Sequence, residues 1–206
     1  MKKILILFLF CFGFAISGEN IEIELKKQAT VDLCNFPDLT DGIVDILYLT
    51  VDNYWHKGEY SKIFPVFYLI TRIFPDDVNA YCLGGWFLIN GIAPKYEGEK
   101  KEEIKKFAIE FMKKGIEKKP DDYRLYWEIA WFYYNENDFE NSLKYLEKAE
   151  NYNHPFYIEN LKAHIYMKQK NLKKAIEEWK IIKEKYPERK EIAEKFIKQI
   201  EKEKNE

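Results

Sequence analysis

Turn-forming residues are scarce in this chain, which has 9 glycines and 7 prolines in 206 residues. That excludes a collagen-like or low-complexity chain and points to long helices joined by short turns. Cysteine is scarce too. Of the 3 present, Cys11 lies in the first apolar run, while Cys34 and Cys82 stand apart with no CxxC spacing. No thiolate metal site can be built from them; they either pair as a disulfide in an oxidising compartment or act as small buried hydrophobes. Charge of one sign is also missing. Lys+Arg 33 against Asp+Glu 35 leaves a formal net charge of −2, which offers nothing to nucleic acid.

Catalytic signatures are absent: there is no P-loop, nucleophile elbow, HExxH or GxGxxG pattern. No nucleophile–base pair is visible, so the expectation is a protein that is not an enzyme, with no catalytic residue, metal or cofactor. The Pro-Asp-Asp triplets at 75–77 and 120–122 each stand before a helical pattern, where Asp caps free backbone N–H groups. The lysine pairs of 100–119 alternate with glutamates at helical spacing and read as a solvated outer face.

Only one long apolar run exists, at the N-terminus. Lys2 and Lys3 precede an apolar stretch from Ile4 to Phe14, and Ala15-Ile16-Ser17 supplies small residues for a cleavage site. Residues 1–18 therefore read as a secretory signal peptide. An uncleaved anchor is the alternative, although a spanning helix needs about 20 apolar residues. A lipidated Cys11 is a third reading, opposed by the bulky Phe10 before it. The expected location is exported, periplasmic or cell-envelope associated, with no membrane span left after cleavage. Residues 19–43 are less legible. Ile21, Ile23 and Leu25 alternate like a strand, a short helix from Thr30 to before Pro37 is an alternative, and Thr40 is placed to cap the next helix.

What the chain has in quantity is aromatic residues, 17% of the total, set in a repeating pattern. Pro75, Pro120, Pro155 and Pro187 close successive blocks, each holding two helical patterns around a tight turn. The first helices align as Leu47-x2-Thr50-Val51-x2-Tyr54, Tyr81-x2-Gly84-Gly85-x2-Leu88, Tyr126-x2-Ile129-Ala130-x2-Tyr133 and Glu159-x2-Lys162-Ala163-x2-Tyr166. The second helices align on Ile63, Ala108, Ser142 and Ala175, each with a large or apolar residue four positions on. Turns fall at Gly58-Glu59-Tyr60, Asn137-Asp138-Phe139 and Lys170-Asn171-Leu172. Small residues at the aligned positions let two helix backbones approach, and the large ones fill the space between hairpins.

This pattern resembles the tetratricopeptide repeat (TPR) family, whose period is 34 residues and whose consensus is W-x2-L-G-x2-Y…A-x3-F…P. The resemblance covers repeats at 44–77, 78–122, 123–155 and 156–189, with a capping helix and tail at 190–206 patterned on Ile192, Phe196, Ile197 and Ile200. It implies an all-α fold, a right-handed α-solenoid of about four helix-turn-helix repeats. Three departures stand out: Pro65 inside a second helix, an insertion around Gly91–Glu103 whose 91–98 stretch reads as a loop, and Pro155 one place late, with His154 in the consensus position.

In such arrays, ligand-facing positions recur along the first helix of each repeat. Carried over, they place Asp45, Tyr48, Asp52, Trp55 and His56 in the first repeat, and Asn79, Cys82, Trp86, Ile89 and Asn90 in the second. The third contributes Arg124, Trp127, Trp131, Tyr134 and Asn135, and the fourth Tyr157, Asn160, His164, Met167 and Lys168. The Lys and Asn clamp that grips chaperone tails is missing from these positions. The resemblance implies an exported bacterial scaffold or adaptor, holding a protein or peptide segment through Tyr48, Trp55, Trp86, Trp127, Trp131, Tyr134, Tyr157, Asn160 and His164. The alternatives are a self-assembling homo-oligomeric envelope subunit, then a glycan-binding module or enzyme. A tightly wound array that buries these rings against each other, or under segment 19–43, would leave no groove.

Overall fold

A computed structural model describes the backbone of residues 40–205 and the side chains of residues 42–203. Residues 1–18, read above as a signal peptide, together with Cys11, Cys34 and the stretch before Thr40, lie outside the described residues. Within them every regular element is helical. The first four α-helices are α1 (Thr40–His56), α2 (Ile63–Ile73), α3 (Val78–Phe87) and α4 (Gly98–Lys118). They are followed by α5 (Tyr123–Asn135), α6 (Phe139–Ala149), α7 (Tyr157–Lys168), α8 (Leu172–Lys185) and α9 (Lys190–Asn205). Each packs on its neighbours along the chain, and α3 also meets α5. The apolar core is accordingly divided into three successive clusters: one built around α1 to α5, one on α5 to α7, and one under α9. No described helix is long and apolar enough to cross a membrane.

The three turns picked out in the sequence share one geometry. Gly58, Asn137 and Lys170 have φ of 69°, 59° and 57°, the left-handed conformation that stops a helix. In each, that residue donates its N–H three positions back, and the next residue donates five back: Gly58 to Trp55 and Glu59 to Tyr54, Asn137 to Tyr134 and Asp138 to Tyr133, Lys170 to Met167 and Asn171 to Tyr166. This paired arrangement is the Schellman motif, and it satisfies carbonyls that a helix end leaves free.

The next helix is then capped from the front. Asp138 accepts the N–H of Asn141 at 3.1 Å and Asn171 that of Lys174 at 3.3 Å. The Pro-Asp-Asp triplets do the same. Asp77 accepts from Ala80 and Asp122 from Arg124, both at 3.0 Å. Helix α1 already includes Thr40, expected as its cap, a difference of one residue at a helix end. Pro65 delays α2 as its chemistry requires. A 3-10 turn spans Tyr60–Lys62, α2 starts at Ile63, and the proline sits in the first helical turn, where a missing N–H breaks no bond.

Close approach depends on the small residues. A Cβ added at Gly115 would stand 2.7 Å from Tyr81 Cγ and 2.8 Å from Leu125 Cδ1, and one added at Gly85 would stand 2.5 Å from Met112 Cγ. Ala108, Ala130, Ala163 and Ala175 are fully buried, and Ser142 turns its hydroxyl back to Ala130 O at 2.8 Å. The fourth repeated block places Glu159 and Lys162 where the third has Tyr126 and Ile129, and both are buried. Each is compensated. Lys185 bonds Glu159 at 2.9 Å, and Lys162 reaches Glu150 at 2.7 Å and Glu178 at 2.9 Å. His154, in the consensus proline position, joins the first of these clusters, with Nδ1 3.6 Å from Glu159 and Nε2 3.3 Å from Lys185.

Two sequence expectations are corrected. The 91–98 stretch is not simply a loop. A π-helical turn (Leu88–Ile92) continues α3, a 3-10 turn (Ala93–Lys95) follows, and only then does the 21-residue α4 begin. Gly91 permits this, because a Cβ there would meet the Phe87 ring at 2.7 Å. In α9, Ile200 and Ala193 are buried, whereas Ile192 is turned outward. The alanine, small enough for close helix contact, takes the inward place expected for the isoleucine.

Candidate functional site: an aromatic row and an adjoining cleft

Helix α5 (Tyr-Arg-Leu-Tyr-Trp-Glu-Ile-Ala-Trp-Phe-Tyr-Tyr-Asn) sends Leu125, Ile129 and Ala130 into the core. That leaves Trp127, Trp131 and Tyr134, at i, i+4 and i+7, as one stripe along another face. The rings stack in sequence, Trp127 on Trp131 at 5.7 Å with planes 23° apart, and Trp131 on Tyr134 at 5.5 Å and 25°. Tyr157 of α7 extends the row, its ring centroid 4.5 Å from that of Trp127. At the far end, the Lys168 ammonium lies 4.5 Å from the Tyr134 ring centroid. Four of the expected partner-binding residues thus form one continuous surface. The Tyr157 hydroxyl donates to Tyr123 at 3.0 Å, and burial, with that bond second, holds its pKa well above the usual phenol range.

Trp86 joins the row through a cleft of about 390 Å³ that it lines with Trp131. From the α3 side come Trp86, Ile89 and Asn90, the last two from the π-helical turn; from α5 come Glu128, Trp131 and Asn135. Tryptophans 55, 86 and 131 keep 46, 43 and 40% of their surface exposed, so stacking has not hidden them. Helix α4 adds Lys101 and Lys105 to the lining. Lys105 is occupied, with its ammonium 2.7 Å from Glu136 and 3.1 Å from Glu102.

Glu128 is the group the repeat pattern missed. It is half-buried, and among the described residues its carboxylate has no hydrogen-bond or ion-pair partner. Burial alone pushes its pKa from 4.5 up to about 7. Its charge is felt on two neighbouring helices, adding to the upward pKa shifts of Cys82 on α3 and Tyr157 on α7. Burial is the larger cause of the upward shift at Cys82, which makes that thiol a poor nucleophile. A signal was present in the sequence: Glu128 is the single acidic residue in the aromatic α5 stretch.

The other expected residues are spread out. Trp55 sits edge-on to Tyr60 at 5.4 Å and to Phe87 at 6.3 Å, on the first hairpin. The Tyr48 hydroxyl donates to both carboxylate oxygens of Asp77 at 3.0 Å, tying α1 to the α3 cap; burial, then Asp77, raises its pKa. His164 is engaged at the C-terminal end, edge-on to both Trp179 and Phe196 at 5.5 Å, and burial lowers its pKa. Asn160 is half-buried, and its side chain makes no hydrogen bond among the described residues. His56 is exposed and turned back to the Asp52 carbonyl at 2.9 Å. Among the described residues no three His, Cys, Asp or Glu side chains converge as a metal site would need.

Among the described residues, fold and site together define a class: an all-helical protein of successive helical hairpins, with a stacked aromatic row beside a cleft where Glu136 is paired to Lys105 and Glu128 is unpaired. No protein-family model matches the chain, and no curated protein matches it significantly.

Proposed function

We propose that this protein is an exported scaffold or adaptor that holds a segment of a protein partner along the row from Tyr157 to Tyr134 and into the adjoining cleft. On this reading the hairpins are four TPR-like repeats at 44–77, 78–122, 123–155 and 156–189, stacked as a right-handed solenoid and closed by α9. The identical turns after α1, α5 and α7 support repetition, and the TPR-like spacing remains the reason for assigning the family. Export rests on the signal-like N-terminus.

The observation that carries the binding role is the ring row itself. Trp and Tyr present large rigid area with few rotamers to lose, and four such rings in continuous contact, with Trp131 still 40% exposed, form a ready surface. An extended or helical segment with apolar anchors suits it. The test compares crosslinked partners of wild-type protein and the Trp127→Ala, Trp131→Ala double variant in the native envelope fraction, after confirming equal helicity. Loss of a specific partner from the variant is expected; unchanged partners would refute the groove.

One observation favours a second reading, self-assembly. On α1, Ile46 and Leu49 are 63 and 68% exposed, one turn apart on the first hairpin. Sedimentation across concentration decides it. A mass that grows with concentration and reverts in Ile46→Lys, Leu49→Lys supports stacking, and a monomer throughout removes it.

A further inference from the structure

We infer that the cleft between Trp86 and Trp131 is a subsite for a basic side chain, lysine or arginine, of the bound polypeptide, with Glu128 as its counter-ion. The inference rests on the groove reading above and specifies which residue type the partner must present.

A carboxylate is not removed from water without a cation or several donors to replace hydration. Elsewhere in this protein the rule is kept. Glu159 has Lys185, Glu178 has Lys162 and Asp122 has Arg124. Glu128 alone among these has nothing, although cations lie near. Lys105 is held by Glu102 and Glu136, and Arg124, one turn before it on α5, is held by Asp122 and Asn79. Lys101 lines the same cleft without pairing to Glu128. The raised carboxyl pKa has burial as its cause and no compensating cation.

The walls match the same occupant. Two indoles offer apolar surface for an aliphatic stem and π electrons for its charged end. The protein already places a cation against this row, with Lys168 over Tyr134. The volume, about 390 Å³, lies in the range of ligand sites and exceeds a water pocket. A polypeptide source follows from continuity, because Trp131 belongs to both cleft and row. A segment lying on the row therefore passes the cleft mouth.

The experiment titrates N-acetyl-lysine amide, N-acetyl-arginine amide and the neutral N-acetyl-norleucine amide into the protein at pH 8, where Glu128 is ionised. Binding is read from the indole N–H resonances of Trp86 and Trp131. The basic amides should bind in the millimolar range and about tenfold more tightly than norleucine amide. Glu128→Gln, which keeps the side-chain shape, should shrink that preference to about twofold. Wild-type protein should lose it as pH falls through 7, since protonation removes the counter-ion. Equal binding of norleucine amide, a preference that survives in Glu128→Gln, or no indole shift with any probe would each overturn the inference. The two readings separate cleanly. A partner lost by the Trp127→Ala, Trp131→Ala variant but kept by Glu128→Gln leaves the groove standing and refutes the cation subsite. A partner kept by both variants refutes the groove itself.

Discussion

At Glu128, the ionised carboxylate that the proposed cation subsite requires is also the form that burial disfavours. Its folded pKa of about 7 lies above the 4.5 of an exposed glutamate. Between those values the folded state holds a proton that the unfolded state has released, so stability falls as pH rises from 4.5 through 7. Glu128→Gln should therefore melt above wild type at pH 8, by on the order of 1–3 kcal/mol after allowing for partial exposure. The gap should close towards pH 4.5, and paired melts at both pH values check it. Gly115 sets a second residue-scale expectation. Alanine favours the helix by about 1 kcal/mol, but its Cβ would press into the inner atoms of Tyr81 and into Leu125, and overpacking costs about 1–3 kcal/mol. Gly115→Ala should lower stability by about 1 kcal/mol, measured by urea unfolding. Neither site is legible in the sequence. Small residues at aligned positions such as Gly85 and Ala108 announce close helix contact, whereas Gly115 aligns with Ile70 and Ile182 and announces nothing. A lone glutamate in a helix reads as a solvent-facing residue, and only the tertiary position of α3 and α4 around it reveals its burial.

At the scale of elements, the three turns that end α1, α5 and α7 repeat the same backbone with different residues at the left-handed position. Gly58 adopts it freely, Asn137 readily, and Lys170 at a cost of about 1 kcal/mol. Lys170→Gly should therefore raise stability by roughly 0.5 kcal/mol, while Gly58→Val should lower it by more than 1 kcal/mol. Thermal denaturation of the two variants tests both signs. The turns and the Asp77 and Asp122 caps are legible because they depend on local chemistry, whereas Asp138 and Asn171 read only as polar turn residues and their capping of the next helix appears in the structure. The π-helical turn Leu88–Ile92 is not legible. Its Gly91, and Pro94 in the 3-10 turn that follows, are ordinary loop signals, and Gly91 leaves room for the Phe87 ring. Charge at Glu159 and Lys162 was equally hidden, because their partners Lys185, Glu150 and Glu178 come from other elements.

Across the whole molecule, the successive core clusters leave α5 with two assignments at once. One side of it closes the core, and the other gives the rings that α7 extends and the cleft that α3 borders. The alignment of repeats foresaw that Trp127, Trp131, Tyr134 and Tyr157 share a surface. It did not foresee that Tyr48 would be drawn into the Asp77 cap, or His164 against the Trp179–Phe196 stack, whose rings lie 4.2 Å apart. Those contacts depend on where α1 and α9 dock. If the row binds a polypeptide, the partner must come within a few ångströms of Asn135, which is exposed at the cleft, and stay away from Glu140, exposed on α6. A photo-crosslinking side chain installed at each position in the native host provides the most direct measurement. A discrete adduct from position 135, absent from position 140 and lost when Trp127 and Trp131 are both alanine, is the expected result. Adducts from position 140 alone, or adducts at 135 that survive the double alanine change, would contradict it.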